Sequence, residues 1–291
     1  MKIQIMIMGI IFSSLCAAQT TLKPKFKVGF TKTYTNETKI KAGPVADEKK
    51  AQTFKYITDT RYTIKSLNKD SAVIEITITR FELPMTNNNE QINSNMFDSK
   101  VLLNKSLLFS FNTDGKLRHL LNTKDARCWM KEYLKGLSTE GDLDQLADKM
   151  ITDSLMLQRV DKAEVFSLYG TPLKTGNTDM FEMQGFKIKR TYTVSDNAEK
   201  IDFIYSSGMT EDDAKLFLTN QLKKKTSKNV EEVIEKLWSE AKSMGMDIIK
   251  IEGSDNRVFT KDKWLDSSTQ FIKTIFIEMK LEISATIKAI K

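Results

Sequence analysis

The stretch FIKTIFIEMKLEISATIKAI, Phe271 to Ile290, decides how this chain is read. Phe271, Ile275, Ile277, Met279, Leu281, Ile283, Ala285, Ile287 and Ala289 share one parity, and Thr274, Glu278, Lys280, Glu282, Ser284, Thr286 and Lys288 share the other. Successive side chains of a strand point to opposite faces, so the stretch reads as a β ribbon with one buried and one wet side. No Gly, Pro, Asn or Asp interrupts it. At about 3.3 Å per residue the ribbon would reach roughly 65 Å, beyond a usual strand, so it has to bend, bulge or run past its neighbours. It is expected as the wall of a curved cavity or, without a cavity, as an exposed sheet edge. The pattern speaks for architecture and names no chemistry.

Working outward, the same alternation recurs. Phe26 to Asn36 reads as a strand and Lys41 to Gln52 as a charged loop holding Gly43-Pro44. Phe54 to Leu67 and Ala72 to Leu83 flank Asn68-Lys69-Asp70, a hairpin signal. Pro84 to Ser99 is Asn-rich and reads as a loop. Leu107 to Phe111 and Lys116 to Leu121 flank the turn Asn112-Thr113-Asp114-Gly115. Strands are also expected at Met183 to Val194, Lys200 to Ser206, Ile248 to Ile251 and Arg257 to Phe259.

Between these runs the period becomes helical. Thr123 to Leu137 spaces Trp129, Met130, Tyr133, Leu134 and Leu137 along one face, and Asp142 to Val160 repeats the pattern with Leu143, Leu146, Ala147, Met150 and Leu157. Gly170 to Thr178 is a turn-rich link. Thr210 to Asp213 has the form of a capping box opening a helix. Asn229 to Met244 sets Val230, Val233, Ile234, Leu237, Trp238, Ala241 and Met244 on an amphipathic stripe ended by Gly245. The echo between Arg61 to Ser66 and Thr191 to Ser195, each leading into an Ile-rich strand, raises an internal duplication against the plain similarity of wet-sided hairpins.

The first residues, MKIQIMIMGIIFSSLCAAQ, have a positive start, a short apolar core and small residues at Cys16-Ala17-Ala18. This is a secretory signal peptide, 1–18, with cleavage between Ala18 and Gln19. The apolar run is short for a span of roughly 20 residues, and Leu15 stands where a lipoprotein wants a small residue before Cys16. Export leaves Cys128 as the one thiol of the mature chain, which must therefore hold together by its core. The net charge of +7 comes mainly from scattered lysines, Lys223-Lys224-Lys225 suiting a helix C-terminus. Without clustered Arg and stacking aromatics it argues against nucleic acid.

Little in the sequence points to catalysis. His119 is the single histidine, which excludes multi-histidine metal sites. A dyad with Cys128 rests on spacing alone, and Cys128 is expected to pack on an apolar helix face. The twelve glycines fit no phosphate or dinucleotide loop, and no Gly-x-Ser-x-Gly elbow occurs. The acids Glu140, Asp142, Asp144 and Glu211, Asp212, Asp213 fall at helix starts, where carboxylates suit the dipole, and Asp142-Leu143-Asp144 departs from a calcium loop after one step. Trp129 and Trp238 are expected in the core, Trp264 at an exposed edge as a surface contact.

Phe26 to Tyr34, the Tyr62 to Phe81 hairpin, Phe109 to Leu117 and Val258 to Ile290 together resemble a family of exported β-rich proteins and lipoproteins of Bacteroidota-type bacteria, a domain of unknown function. In plan the chain is also similar to lipoprotein-carrier-like envelope proteins. That likeness implies a curved antiparallel sheet around an apolar cavity, with the helices near Trp129 and Leu237 as plug or second layer. An outer-membrane barrel is disfavoured by the interspersed helices and the Ile-Lys end.

The expected fold is α+β: a largely antiparallel, twisted or curved sheet with amphipathic helices on its apolar face. It forms a single domain over 19–291, or two intimate halves, 19–175 and 176–291. The expected function is a non-enzymatic binding or envelope-assembly protein of the periplasm or cell surface of a Gram-negative bacterium. Its partner would be an apolar ligand or an envelope protein; it is not an integral membrane protein. The alternative is a cell-wall or glycan hydrolase using unidentified carboxylates. No catalytic, cofactor-binding or metal-binding residue is assigned, no cofactor is expected, and ligand-binding residues stay unnamed.

Overall fold

A computed structural model describes residues 20–83, 101–136, 142–161, 165–183, 185–195, 197–223, 229–244, 248–276 and 279–290. The signal peptide, the Pro84 to Ser99 segment, Glu140, Lys224-Lys225 and Gly245 lie outside the described residues.

In chain order the strands are β1 (Thr20–Thr21), β2 (Thr31–Pro44), β3 (Gln52–Leu67), β4 (Ser71–Glu82), β5 (Ser106–Asn112), β6 (Leu117–Leu120), β7 (Pro172–Leu173), β8 (Thr178–Met183), β9 (Phe186–Val194), β10 (Lys200–Ser207), β11 (Ile249–Phe259), β12 (Leu265–Phe276) and β13 (Met279–Ile290). The helices are α1 (Thr123–Gly136), α2 (Leu143–Met150), α3 (Asp153–Asp161), α4 (Glu211–Lys223) and α5 (Val230–Ser243). An open sheet of eleven strands runs β6-β5-β4-β3-β2-β13-β12-β11-β10-β9-β8, every neighbour antiparallel. β1 pairs with β7 apart from it. The fold is α+β and dominated by its sheet.

The terminal ribbon is two strands. Phe276 pairs with Met279, so β12 and β13 form a hairpin. Paired residues share a face, and their numbers sum to an odd value, so the buried parity switches: Ser268, Ile272 and Thr274 point inward on β12, Ala285 and Ile287 on β13. The unbroken alternation hid the reversal, because Ile277 and Glu278 carry no turn chemistry. β13 is no edge: it pairs with β12 on one side and β2 on the other.

Other boundaries move for local reasons. Gly29, at φ +80°, turns the chain before β2, which then runs on through Pro44; a Cβ on Gly43 would lie 2.5 Å from Ala51 Cα. The Asp142 to Val160 helix is broken at Ile151, and Thr152 Oγ1 accepts from Leu155 N (3.2 Å) to start α3. Gly185, at φ +85°, divides the Met183 to Val194 strand into the β8–β9 hairpin. The two short strands around Gly253 are one strand, β11.

The hairpin turn at Asn68 forms as expected, its Oδ1 accepting from Asp70 N and Ser71 N. So does the capping box: Asp213 N donates to Thr210 Oγ1 and Thr210 N to Asp213 Oδ2, both at 3.2 Å. Helix α5 buries Val230, Ile234, Trp238 and Ala241, but Val233, Leu237 and Met244 stay exposed. Lys215–Glu235 and Lys242–Glu211 bridges seat α4 along the other flank of α5, which leaves those three uncovered.

The two sheet faces differ as an antiparallel sheet with one solvated side should. The outer face carries ion pairs such as Lys55–Glu37, Lys65–Glu75 and Lys273–Glu252. The inner face holds the core, one cluster drawing on both halves of the chain. Phe166 crosses this face with its ring 5.3 Å from Tyr62, 4.7 Å from Phe111 and 6.3 Å from Trp264. Among the described residues no helix is long and apolar enough to cross a membrane.

Candidate functional site

The register lines up inner-face residues across the sheet. One row runs Phe54, Ile40, Ile283, Ile272, Gly253, Tyr205, Arg190 and Asp179, from β3 to β8. The next runs Tyr56, Thr38, Ala285, Gln270, Asp255, Phe203 and Tyr192. Each row is apolar or small toward β3, β2 and β13, and aromatic and charged toward β9 and β8.

On the apolar side the floor is open. Phe54, Ile40, Tyr56, Leu281 and Ile283 are half-buried, although they lie on the face that elsewhere holds the core. Small residues, Ala42, Thr38 and Ala285, stand between them. One end of the face is bridged by aromatic side chains. The rings of Phe186 and Phe276 meet at 5.9 Å, although β9 and β12 are three strand spacings apart, about 14 Å in a flat sheet. Phe217 of α4 packs on both, at 4.7 and 5.7 Å. The α4–α5 pair and its satellite cluster with Met209, Ile249 and Phe276 thus close this end.

On the charged side two Arg–Asp pairs flank Phe203. Arg190 donates through Nε and Nη2 to both oxygens of Asp179 (2.9 and 2.6 Å), and the Tyr192 hydroxyl donates to the same carboxylate. Burial pushes the Asp179 carboxyl up, but hydrogen bonds from Arg190 and Tyr192 and the charges of Arg190 and Arg257 outweigh it and hold the carboxyl below its usual range. Burial and the bond to Asp179 push the Tyr192 phenol up to about 12. Arg257 Nε donates to Asp255 Oδ2 (2.7 Å), and both side chains are buried. Ser268 and Tyr205 also donate to Asp255, and Gln270 donates to the Tyr205 hydroxyl. Both guanidinium groups lie 5.1 Å from the Phe203 ring centroid. The carboxylates drawn to this face are therefore each held by an arginine.

The residues singled out from sequence fall elsewhere. His119 is exposed, its Nδ1 3.4 Å from Asp153 Oδ2. Cys128 is exposed rather than packed, since α1 turns Ala126, Met130 and Leu134 to the core instead. Trp264 is 2 % exposed, not a surface contact: Phe26, Phe30 and Phe166 surround it, and its Nε1 donates to Lys25 O. Trp238 is buried and Trp129 half-buried. Asp142 caps α2, accepting from Asp144 N and Gln145 N, and Asp213 pairs with Lys187. Among the described residues no group of three or more His, Cys, Asp or Glu is placed to hold a metal ion. Sequence reasoning missed Asp255 and Arg257, because Gly253-Ser254-Asp255-Asn256 has turn composition; the alternation Ile251, Asp255, Arg257, Phe259 was the available signal.

No protein-family model matches the chain, and no curated protein matches it in sequence. Among solved structures the chain is similar to one titled for lipid–protein interactions in lipovitellin, with a TM-score of 0.40 and 7 % identity over 92 % of this chain and 26 % of that one. It spans about a quarter of the lipovitellin chain's length.

Proposed function

We propose that this is an exported, non-enzymatic binding protein that holds an apolar ligand on the inner face of its sheet, beside the α4–α5 pair. The observation that carries the reading is the half-buried row Phe54, Ile40 and Ile283, with Leu281 beside it, on the face that should be dry. Fully burying one such side chain gains about 1.5–3 kcal/mol, so an apolar molecule completing the burial of several gains a substantial fraction of that for each. The engagement of Asp179 and Asp255 by Arg190 and Arg257 favours binding over acid–base hydrolysis. The pattern in 1–18 supports export, to the periplasm or the surface of a Gram-negative cell. The resemblance to exported Bacteroidota-type proteins agrees with that placement.

Native mass spectrometry of protein purified from its own envelope tests the reading. The expected spectrum shows a bound apolar molecule that solvent extraction removes and re-addition restores. Protein that arrives without adducts and takes up none of the extracted lipids overturns it.

A further inference from the structure

Resting on that groove, a second observation bears on what the ligand is. Thr274 lies on the inner face in the row Ala42, Leu281, Thr274 and Ile251, next to the row of Ile283 and Ile272. It is 2 % exposed, and its Oγ1 has no hydrogen-bond partner among the described residues. The buried threonine and serine hydroxyls beside it on the inner face are engaged: Thr38 Oγ1 donates to Asn36 and Ser268 Oγ to Asp255. Buried polar atoms are paired as a rule, so an orphan marks a place where a polar group from outside the chain fits. Leu281, its half-buried cross-strand neighbour, belongs to the open floor, so the hydroxyl sits at the margin of the groove.

The surroundings fix the class of that group. Ala42, Leu281, Ile251, Ile272 and Phe276 share its face and are all apolar, while Lys273, next in the chain, points outward to Glu252. A carboxylate or phosphate seated here would be a buried charge facing no cation among these sheet neighbours, which is strongly unfavourable. A hydroxyl or an ester carbonyl meets the threonine without that penalty, since Oγ–H both donates and accepts. We infer that the groove takes an uncharged amphiphile, of the long-chain alcohol or acylglycerol class, with its polar atom hydrogen-bonded to Thr274 Oγ1.

The full chain can be titrated by displacement of the uncharged fluorophore aminoanthracene with dodecanol and with dodecanoate at neutral pH. Wild type, Thr274→Val and Thr274→Ser are compared, and thermal midpoints recorded. Wild type is expected to bind dodecanol in preference to dodecanoate. Thr274→Val, nearly isosteric, should still bind the fluorophore but weaken dodecanol about three- to tenfold, the worth of one hydrogen bond. The same variant should melt higher without ligand, because an unpaired hydroxyl has been removed, and Thr274→Ser should keep dodecanol affinity. Equal dodecanol affinity in wild type and Thr274→Val, tighter binding of dodecanoate, or a lower midpoint for Thr274→Val overturns the assignment while the groove itself stands. Failure of wild type to bind the fluorophore or either amphiphile removes the groove reading and this inference with it.

Discussion

Replacing Arg257 by leucine isolates the energetics of the buried charge. Arg257 and Asp255 are 3 % and 0 % exposed at their side chains, joined by a 2.7 Å bond, and Arg257 Nη1 also donates to Ser167 Oγ at 2.7 Å. Arg257→Leu leaves the Asp255 carboxylate buried with only hydroxyl donors, which costs about 3–5 kcal/mol. Replacing both residues by leucine removes the charge with its partner. Replacing such a pair with apolar residues is neutral or favourable by about 1–4 kcal/mol. Against this, Ser268, Tyr205 and Ser167 each lose a partner, at about 1–3 kcal/mol apiece if nothing replaces it. Tyr205 keeps its bond from Gln270. The double variant should therefore lose less than the sum of the two singles, because the unpaired charge counted in each is gone. Urea unfolding followed by tryptophan fluorescence reads this as a midpoint shift at constant slope. With a slope near 2–3 kcal/mol/M, Arg257→Leu should lose roughly 1–2 M. A single-variant loss below about 1 kcal/mol, or a double variant as unstable as the sum of the two singles, would refute the argument from an unpaired buried charge.

Three further outcomes follow from other contacts. The Asp179 carboxyl is held below its unfolded value near 3.9, so its contribution is present above that pH and is lost as pH falls through the folded value; Asp179→Asn should flatten the acid limb of a midpoint-versus-pH curve, and an unchanged limb would contradict the assignment. Trp264→Ala removes the residue between Phe26, Phe30 and Phe166 and should cost about 3–5 kcal/mol by urea unfolding, whereas a surface tryptophan would cost almost nothing. Thr210→Ala breaks the capping box of α4 and should cost about 0.5–2 kcal/mol, seen as faster amide exchange in the first turn of that helix; no change in exchange would contradict the cap.

Much of this architecture is legible in local sequence, and the losses have definite causes. The β3–β4 and β5–β6 hairpins announce themselves because Asn68 and Asn112 fold their own backbone into turns. α1, α4 and α5 keep helical periods and, at Thr210, a cap. The β12–β13 reversal was hidden because Ile277-Glu278 continues the alternation that the hairpin interrupts. β11 was hidden for the opposite reason: Gly253 to Asn256 has turn composition, yet their backbone is laddered on both sides by β10 and β12. Trp264 stands in a charged stretch, Lys261-Asp262-Lys263, and only the tertiary approach of Phe26 and Phe30 buries it. The groove is the least legible feature. It depends on the register of β3, β2, β13 and β12, which brings Phe54 beside Ile40, Ile283 and Ile272 across more than two hundred positions of chain, and no local pattern encodes that.

The parity of β13 offers the most direct test of the binding account. Ile283 lies on the inner face and its neighbour Ser284 on the outer, opposite Phe271. Aminoanthracene titration of Ile283→Lys and Ser284→Lys, each checked for a native circular-dichroism spectrum, compares the two faces of one strand. Ile283→Lys is expected to abolish fluorophore binding while Ser284→Lys binds as wild type does. Equal binding by both folded variants would contradict it.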